Sequence, residues 1–233
     1  MAKKIGFKSY CWAIGTTSYR TDNFNLSIEK QLQLLKEFRE LEENKNKKWI
    51  KNKKFQAEYY NFLKENNFVK GDAAFPDKDA REKTSGLRDI GLLDDEHNIT
   101  DVGLELLKIA TSDDFATDNF LEIPKDSFLY FKQLLKTANN VEGKIVRPFV
   151  VFLYAVNELG YLTNDEFTYL LPLCVDEHTT KNIVKSIKNY RETGEKNFDD
   201  IILSVLMEKD NYKQALNLLK TEPISEELIC NIG

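Results

Sequence analysis

The sequence has few of the residues that usually betray a chemistry. Its three cysteines, Cys11, Cys174 and Cys230, stand far apart and form no C-x-x-C pair. That spacing suggests neither a disulfide framework nor a zinc knuckle and fits the reducing cytoplasm, the expected location. Its two histidines, His97 in a polar turn and His178 in the helix-start sequence DEHTT, supply neither a metal cluster nor a Ser-His-Asp triad. No catalytic or metal-ligating set is therefore expected in this chain. No apolar run approaches the ~20 residues of a membrane helix, and no secretory leader opens the sequence, so no membrane partner is expected. Glycine and proline are scarce, 10 and 5 in 233 residues.

The 42% apolar content recurs at three- and four-residue spacing, which predicts a mainly α fold with a core large enough for one large domain or two small ones. The formal charge of −5 is unevenly divided. Residues 1–88 carry 19 Lys/Arg against 12 Asp/Glu, or +7, and residues 89–233 carry 14 against 26, or −12. A basic part facing an anionic partner, joined to an acidic remainder, is the expectation that follows.

Residues 80–107 organise the rest. Ala80, Thr84, Leu87 and Ile90 fall on one side of a helix, Gly91 ends it, and Leu92-Leu93 gives a short apolar strand. Residues 94–98 form a polar turn, Ile99 returns the chain, and Thr100-Asp101 caps a helix with Val102, Leu104, Leu106, Leu107 and Ile109 inward. Helix, two-stranded wing, helix is the second half of a winged helix-turn-helix, whose middle helix enters a DNA major groove. Its outward face carries Lys78, Arg81, Ser85 and Arg88 as candidate base readers, with Glu82 and Asp89 beside them. Arg grips guanine O6 and N7 through two bonds, and a hydroxyl donates or accepts. The same charges also suit an ordinary solvated helix face or a protein-docking module.

Two further stretches could meet the DNA backbone. Residues 44–54, NKNKKWIKNKK, place six lysines around Trp49, and Lys47, Lys48, Lys51 and Lys53 are candidates for phosphate contacts that weaken with salt. Residues 15–20 offer the short donors Thr16, Thr17 and Ser18 with Arg20, either as phosphate contacts or as a turn capping the next helix. That helix carries Ile28, Leu32, Leu35 and Phe38 on one face, with Asn25 or Ser27 as its expected cap. The stripe Phe55, Tyr59, Phe62 and Leu63 predicts another core helix.

The string W-x-I-G-T-T-S-Y-R from Trp12 to Arg20, followed by N-x-x-I-E-x-Q-L-x-L-L-K-E-F from Asn25 to Phe38, resembles the amino terminus of AlwI-type type IIS restriction endonucleases. The resemblance is strongest over residues 10–40 and is supported by the winged-helix pattern of residues 55–110. It implies a recognition region of winged-helix-like subdomains that binds a short asymmetric site in double-stranded DNA as a monomer. It also implies a separate PD-(D/E)xK nuclease domain that uses Mg²⁺ and cuts outside the site. That nuclease domain is expected to lie beyond Gly233, since the ending TEPISEELICNIG looks like a domain boundary. Pro76-Asp77 with Glu82-x-Thr84 is only a superficial match to the nuclease motif, because no strand pattern carries it.

Residues 111–127 are acidic and turn-rich, which places a division near 112/113. The expected first subdomain is 1–112 and the second is 113–233. In the second, stripes Phe128-Phe131-Leu135 and Phe149-Phe152-Leu153-Val156 mark two helices, Gly160 ends the latter, and Thr163 to Glu166 forms a capping box. Thr179-Thr180 starts a helix with Ile183, Val184 and Ile187 inward and with Lys181, Lys185, Lys188, Asn189 and Arg191 outward; a helix pair follows over 198–220. A second winged-helix-like unit is thus expected. The alternative function is a winged-helix transcriptional regulator or interaction scaffold, which would normally dimerise on a palindrome.

Overall fold

Apolar residues at helical spacing fold into nine α-helices among the described residues, which in the computed structural model are 10–13, 23–194, 197–221 and 225. The class is mainly α. These residues fall into two compact units: one within residues 15–137, and one that joins residues up to 14 with those from 138 onward. The division comes at Thr137/Ala138 rather than at 112/113.

The first unit holds α1 (Phe24–Glu40), α2 (Lys53–Glu65), α3 (Pro76–Asp89), α4 (Asp101–Ser112) and α5 (Lys125–Lys136). The predicted stripes are its core: Ile28, Leu32, Leu35 and Phe38 of α1 meet Phe55, Tyr59 and Leu63 of α2 and Leu87 of α3, all at 3% exposure or less. Side chains of this size each contribute about 1.5–3 kcal/mol when fully buried. α1 begins at Phe24 after Asn23, not at Asn25 or Ser27. Asn25 lies in the helix instead, and its Nδ2 donates to Asp126 Oδ2 at 2.5 Å.

The α3–α4 connection follows the expected path. Ala80, Thr84, Leu87 and Ile90 are all buried, Gly91 turns the chain at φ +75°, and Thr100 Oγ1 accepts from Gly103 N at 3.3 Å. Where two short strands were expected, one antiparallel bridge joins Leu93 to Ile99. Gly103 is required by proximity: a Cβ there would sit 2.6 Å from Leu92 O and 2.7 Å from Ile99 Cγ2. Leu104, assigned inward from sequence, is 44% exposed.

α5 joins this unit because Leu129, Tyr130 and Gln133 face its core, one position off the predicted stripe. Polar Gln133 belongs there because its Nε2 donates to Ile90 O at 2.9 Å, closing the end of α3. Phe128 meets Phe120 edge-on at 5.5 Å instead.

The second unit contains a hairpin of β1 (Asn139–Val141) and β2 (Lys144–Val146), then α6 (Pro148–Leu159), a π-helical turn (Glu166–Leu170) running into a 3₁₀ turn (Leu171–Leu173), α7 (Glu177–Thr193), α8 (Phe198–Leu206) and α9 (Asp210–Thr221). The hairpin, in register Asn139 with Val146, turns through Glu142-Gly143, both at positive φ, as a two-residue loop of the primed type requires. Sequence periodicity did not predict it, since three-residue strands are too short to show alternation. It precedes α6, and among the described residues no strand follows α7, so the order is not that of the first unit. The capping box does form: Thr163 N donates to Glu166 Oε2 at 2.7 Å and Glu166 N to Thr163 Oγ1 at 3.2 Å. Ile183, Val184 and Ile187 are buried as expected, although the cap of α7 is Asp176. Trp12 is 3% exposed and belongs here, its Nε1 donating to Cys174 O at 3.1 Å. No described helix is long and apolar enough to cross a membrane.

Candidate nucleic-acid interface

α3 starts at Pro76, whose missing N–H costs nothing in a first helical turn, and its Asp77 and Asp79 complement the positive end of the helix. The burial of Ala80, Thr84 and Leu87 turns Lys78, Arg81, Ser85 and Arg88 to the other side, where offsets of three, seven and ten residues keep them on one face. They are not equally free. Lys78 stands 3.6 Å from Glu82, and Ser85 Oγ donates to Glu82 O at 2.8 Å. Arg81 is the most constrained: its Nη1 donates to Gln56 Oε1 at 2.6 Å and to Asp77 Oδ2 at 2.8 Å. Arg88 is exposed, and among the described residues the carboxylate that pairs with it is that of Asp89, at 3.3 Å.

The lysine run is anchored to the core. Trp49 is 1% exposed, and three bonds fix the backbone around it: Arg39 Nη1 to Lys47 O at 2.8 Å, Gln56 Nε2 to Trp49 O at 2.8 Å, and Asn44 Nδ2 to Phe38 O at 2.9 Å. Lys48, Lys51 and Lys53 project outward. Lys47 differs: it pairs with Glu58 at 3.0 Å and covers the Phe55 ring at 5.3 Å, so it is the least available of the four to a phosphate. Thr16, Thr17, Ser18 and Arg20 lie outside the described residues.

The turn of residues 94–98 is tied to the same place. Arg39 Nη2 donates to Glu96 O at 2.8 Å, while Asp94 Oδ1 accepts from Asn98 N at 2.8 Å. His97 adopts φ +57° and stacks on Trp49, centroids 4.7 Å apart and planes at 16°. Burial first, and then the positive charges of Arg88 and Arg39, push the imidazole down to about 4, against the pull of Asp94 and Asp95. His97 is therefore neutral near pH 7. Trp49, Lys51, Gln56, Arg81, Arg88, Asp95 and His97 together line an open cleft of about 400 Å³.

The structure thus brings Lys51 to Arg81 and Arg88, and adds Gln56, Trp49 and His97, which sequence reasoning left out of the site. One signal was available: a tryptophan amid lysines marks an anchored loop rather than a solvated one. In the second unit, Arg191 is not an outward cation. It pairs with Glu166 at 2.5 Å, its Nη1 donates to Leu159 O at 3.1 Å and its Nη2 to Tyr161 O at 2.8 Å. Lys181 is held by Glu177 at 2.5 Å.

Comparison with known proteins gives a family model described as AlwI restriction endonuclease, which matches residues 88–227, more than half the chain. The chain belongs to the AlwI restriction endonuclease family. A DNA substrate is what membership of the AlwI family implies. The match begins at Arg88, takes in the turn of residues 94–98 and α4, and continues to residue 227; the strings from Trp12 to Phe38 that carry the resemblance in sequence lie outside it. No curated protein and no solved structure matches the chain. Among the described residues no three His, Cys, Asp or Glu side chains gather as a divalent cation's ligands would. Asp77 is engaged by Arg81 and Glu82 by Lys78. With their carboxylates so engaged, Asp77 and Glu82 do not converge on a common point where a divalent cation would sit.

Proposed function

We propose that this chain is a sequence-specific, double-stranded DNA recognition region of a type IIS restriction endonuclease, acting as a monomer on a short asymmetric site. In this reading residues 55–110 work as a winged helix, α3 lies in the major groove, and the wing turn follows the backbone. The Mg²⁺-dependent nuclease is carried by residues outside this sequence. The observation that carries the reading is the set of cations on one side of the first unit, Lys51, Arg81 and Arg88 around one cleft with Lys78 on the same helix, in a chain of a restriction endonuclease family. Lys78 and Ser85 stand on the outward face of α3 toward base edges, and Arg88 stands at the cleft beside them. Lys48, Lys51 and Lys53 are the backbone contacts, and the neutralised phosphates supply the affinity despite the acidic total.

The test is selection of bound duplexes from a random pool, followed by a salt titration on the enriched sequence. One asymmetric motif bound 1:1, with affinity falling steeply as salt rises, is the expected result. Absence of binding to any duplex at low salt refutes the reading. A palindromic motif bound by a dimer replaces it with a regulator.

A further inference from the structure

The cleft beside the wing turn has a composition that a base-reading surface does not need. Its lining carries three cations, Lys51, Arg81 and Arg88, against a single carboxylate, Asp95. Two of the lining side chains are almost fully buried and hold polar atoms with no hydrogen-bond partner: Trp49, 1% exposed, with its Nε1–H, and His97, 5% exposed, with its Nδ1. Buried polar atoms are paired in nearly all folded proteins, and each one left open costs free energy that a hydrogen-bonding partner removes. The backbone is held rather than slack at this point. Arg39 bonds the carbonyls of Lys47 and Glu96 on either side, Gln56 bonds Trp49 O and Arg81 together, and Lys51 and His97 both take left-handed backbone angles, φ +60° and +57°. Among the described residues Lys51 has no carboxylate within 4 Å, and its side chain is exposed.

From this geometry we propose that the cleft is an oxyanion seat of the phosphate class, and that in the DNA complex it holds one backbone phosphate. Lys51 and Arg88 supply mobile cationic donors, Arg81 a fixed one, and the stacked Trp49–His97 pair the buried wall. The seat sets the register of α3 on the duplex, leaving sequence reading to the remainder of its outward face. The part of this inference that concerns DNA rests on the function proposed above, whereas the seat itself does not.

The chain makes a clean test possible, because it has only two tryptophans and two histidines, and Trp12 and His178 lie in the other unit. The indole N–H and imidazole resonances are followed while inorganic phosphate replaces chloride at constant ionic strength, and separately while a random-sequence 20-base-pair duplex is added. Saturating shifts of Trp49 and His97 with phosphate, with Trp12 and His178 still, are expected. Lys51→Gln and Arg88→Ala should each weaken the response about tenfold, whereas Lys30→Gln, an equal loss of charge at an exposed position on α1, should leave it intact. The duplex should move the same two side chains. A duplex that binds while Trp49 and His97 stay still under both probes overturns the seat and leaves DNA binding standing. Phosphate shifts without any duplex binding retain the seat for a free phosphate and refute the DNA reading. No response to either probe removes both, and an equal response to chloride overturns phosphate selectivity.

Discussion

Replacing Glu29 by Gln should make the first unit more stable at pH 8 and leave it unchanged at pH 4. Glu29 sits on α1 at 7% exposure, with Oε1 unpartnered, close to Asp126, which is 5% exposed and has Oδ1 unpartnered. Burial, with the Asp126 charge adding to it, pushes the Glu29 carboxyl up from 4.5 to about 7. Below pH 4.5 the group is protonated in both the folded and unfolded chains and costs nothing. Between 4.5 and 7 the unfolded chain releases the proton while the folded chain keeps it, so stability falls as pH rises; above 7 the loss is complete. The displacement from 4.5 to about 7 corresponds to ~3 kcal/mol at full strength, and ~2 kcal/mol once water reaching the site is allowed for. Glutamine keeps the shape without the charge. Denaturant unfolding of E29Q and the parent at intervals from pH 4 to 8, followed by Trp49 fluorescence in a Trp12→Phe background, reads the difference. A gap that does not grow with pH, or an E29Q protein less stable at pH 8, refutes the account of Glu29.

Four further outcomes are expected. Gly103→Ala pushes a methyl group against Leu92 O and should destabilise the first unit by about 1–3 kcal/mol, visible as a lowered melting temperature; an unchanged one would show that α4 can move away. Arg191→Ala strips the partner from Glu166, which is 2% exposed. Burial alone would raise that carboxyl, and the bonds from Arg191 and Thr163 hold it below its ordinary value, so the change should cost about 3 kcal/mol or more in the stability of the second unit, and a loss below 1 kcal/mol would contradict this. Changing Lys48, Lys51 and Lys53 to Gln should weaken binding to all duplexes alike and flatten the log–log salt dependence by about 1 per lysine lost. Lys78→Ala should instead relax base preference by about 1–3 kcal/mol, and reversed effects in a competition assay would exchange the two roles.

The parts of the fold legible in the sequence are those in which periodicity, a cap and a stop coincide. α3, its Gly91 terminus and the Thr100 cap are such a case, as are the Thr163–Glu166 capping box and the inward face of α7. What the sequence hid depends on long-range partners. Gln133 is buried because a carbonyl at the end of α3 waits for it, which no local pattern encodes, and this shifts the buried side of α5 and the unit boundary with it. The site was legible as a face but not as a place. Spacing aligns Arg81, Ser85 and Arg88 on one helix, yet only tertiary structure brings Lys51 to them, ties Arg81 to Gln56, and sets His97 against Trp49. Arg191 shows the converse: an apparently outward cation on a helical wheel is drawn back by a carboxylate 25 residues earlier in the chain.

The second unit is built from two pieces of chain that are far apart in sequence. Trp12 bonds the Cys174 carbonyl, a separation of 162 residues, and Ala13 N reaches Asn139 Oδ1 at 3.2 Å, so the entire first unit is spliced between the two pieces. On a ribosome the first unit can therefore finish folding while Trp12 is still waiting for residues not yet made. Closing so long a loop costs little more entropy than closing a short one when its interior is already compact. The order of synthesis thus lets the first unit fold before the chain of the second is complete, and a slow folding phase should follow the Trp12 signal rather than that of Trp49.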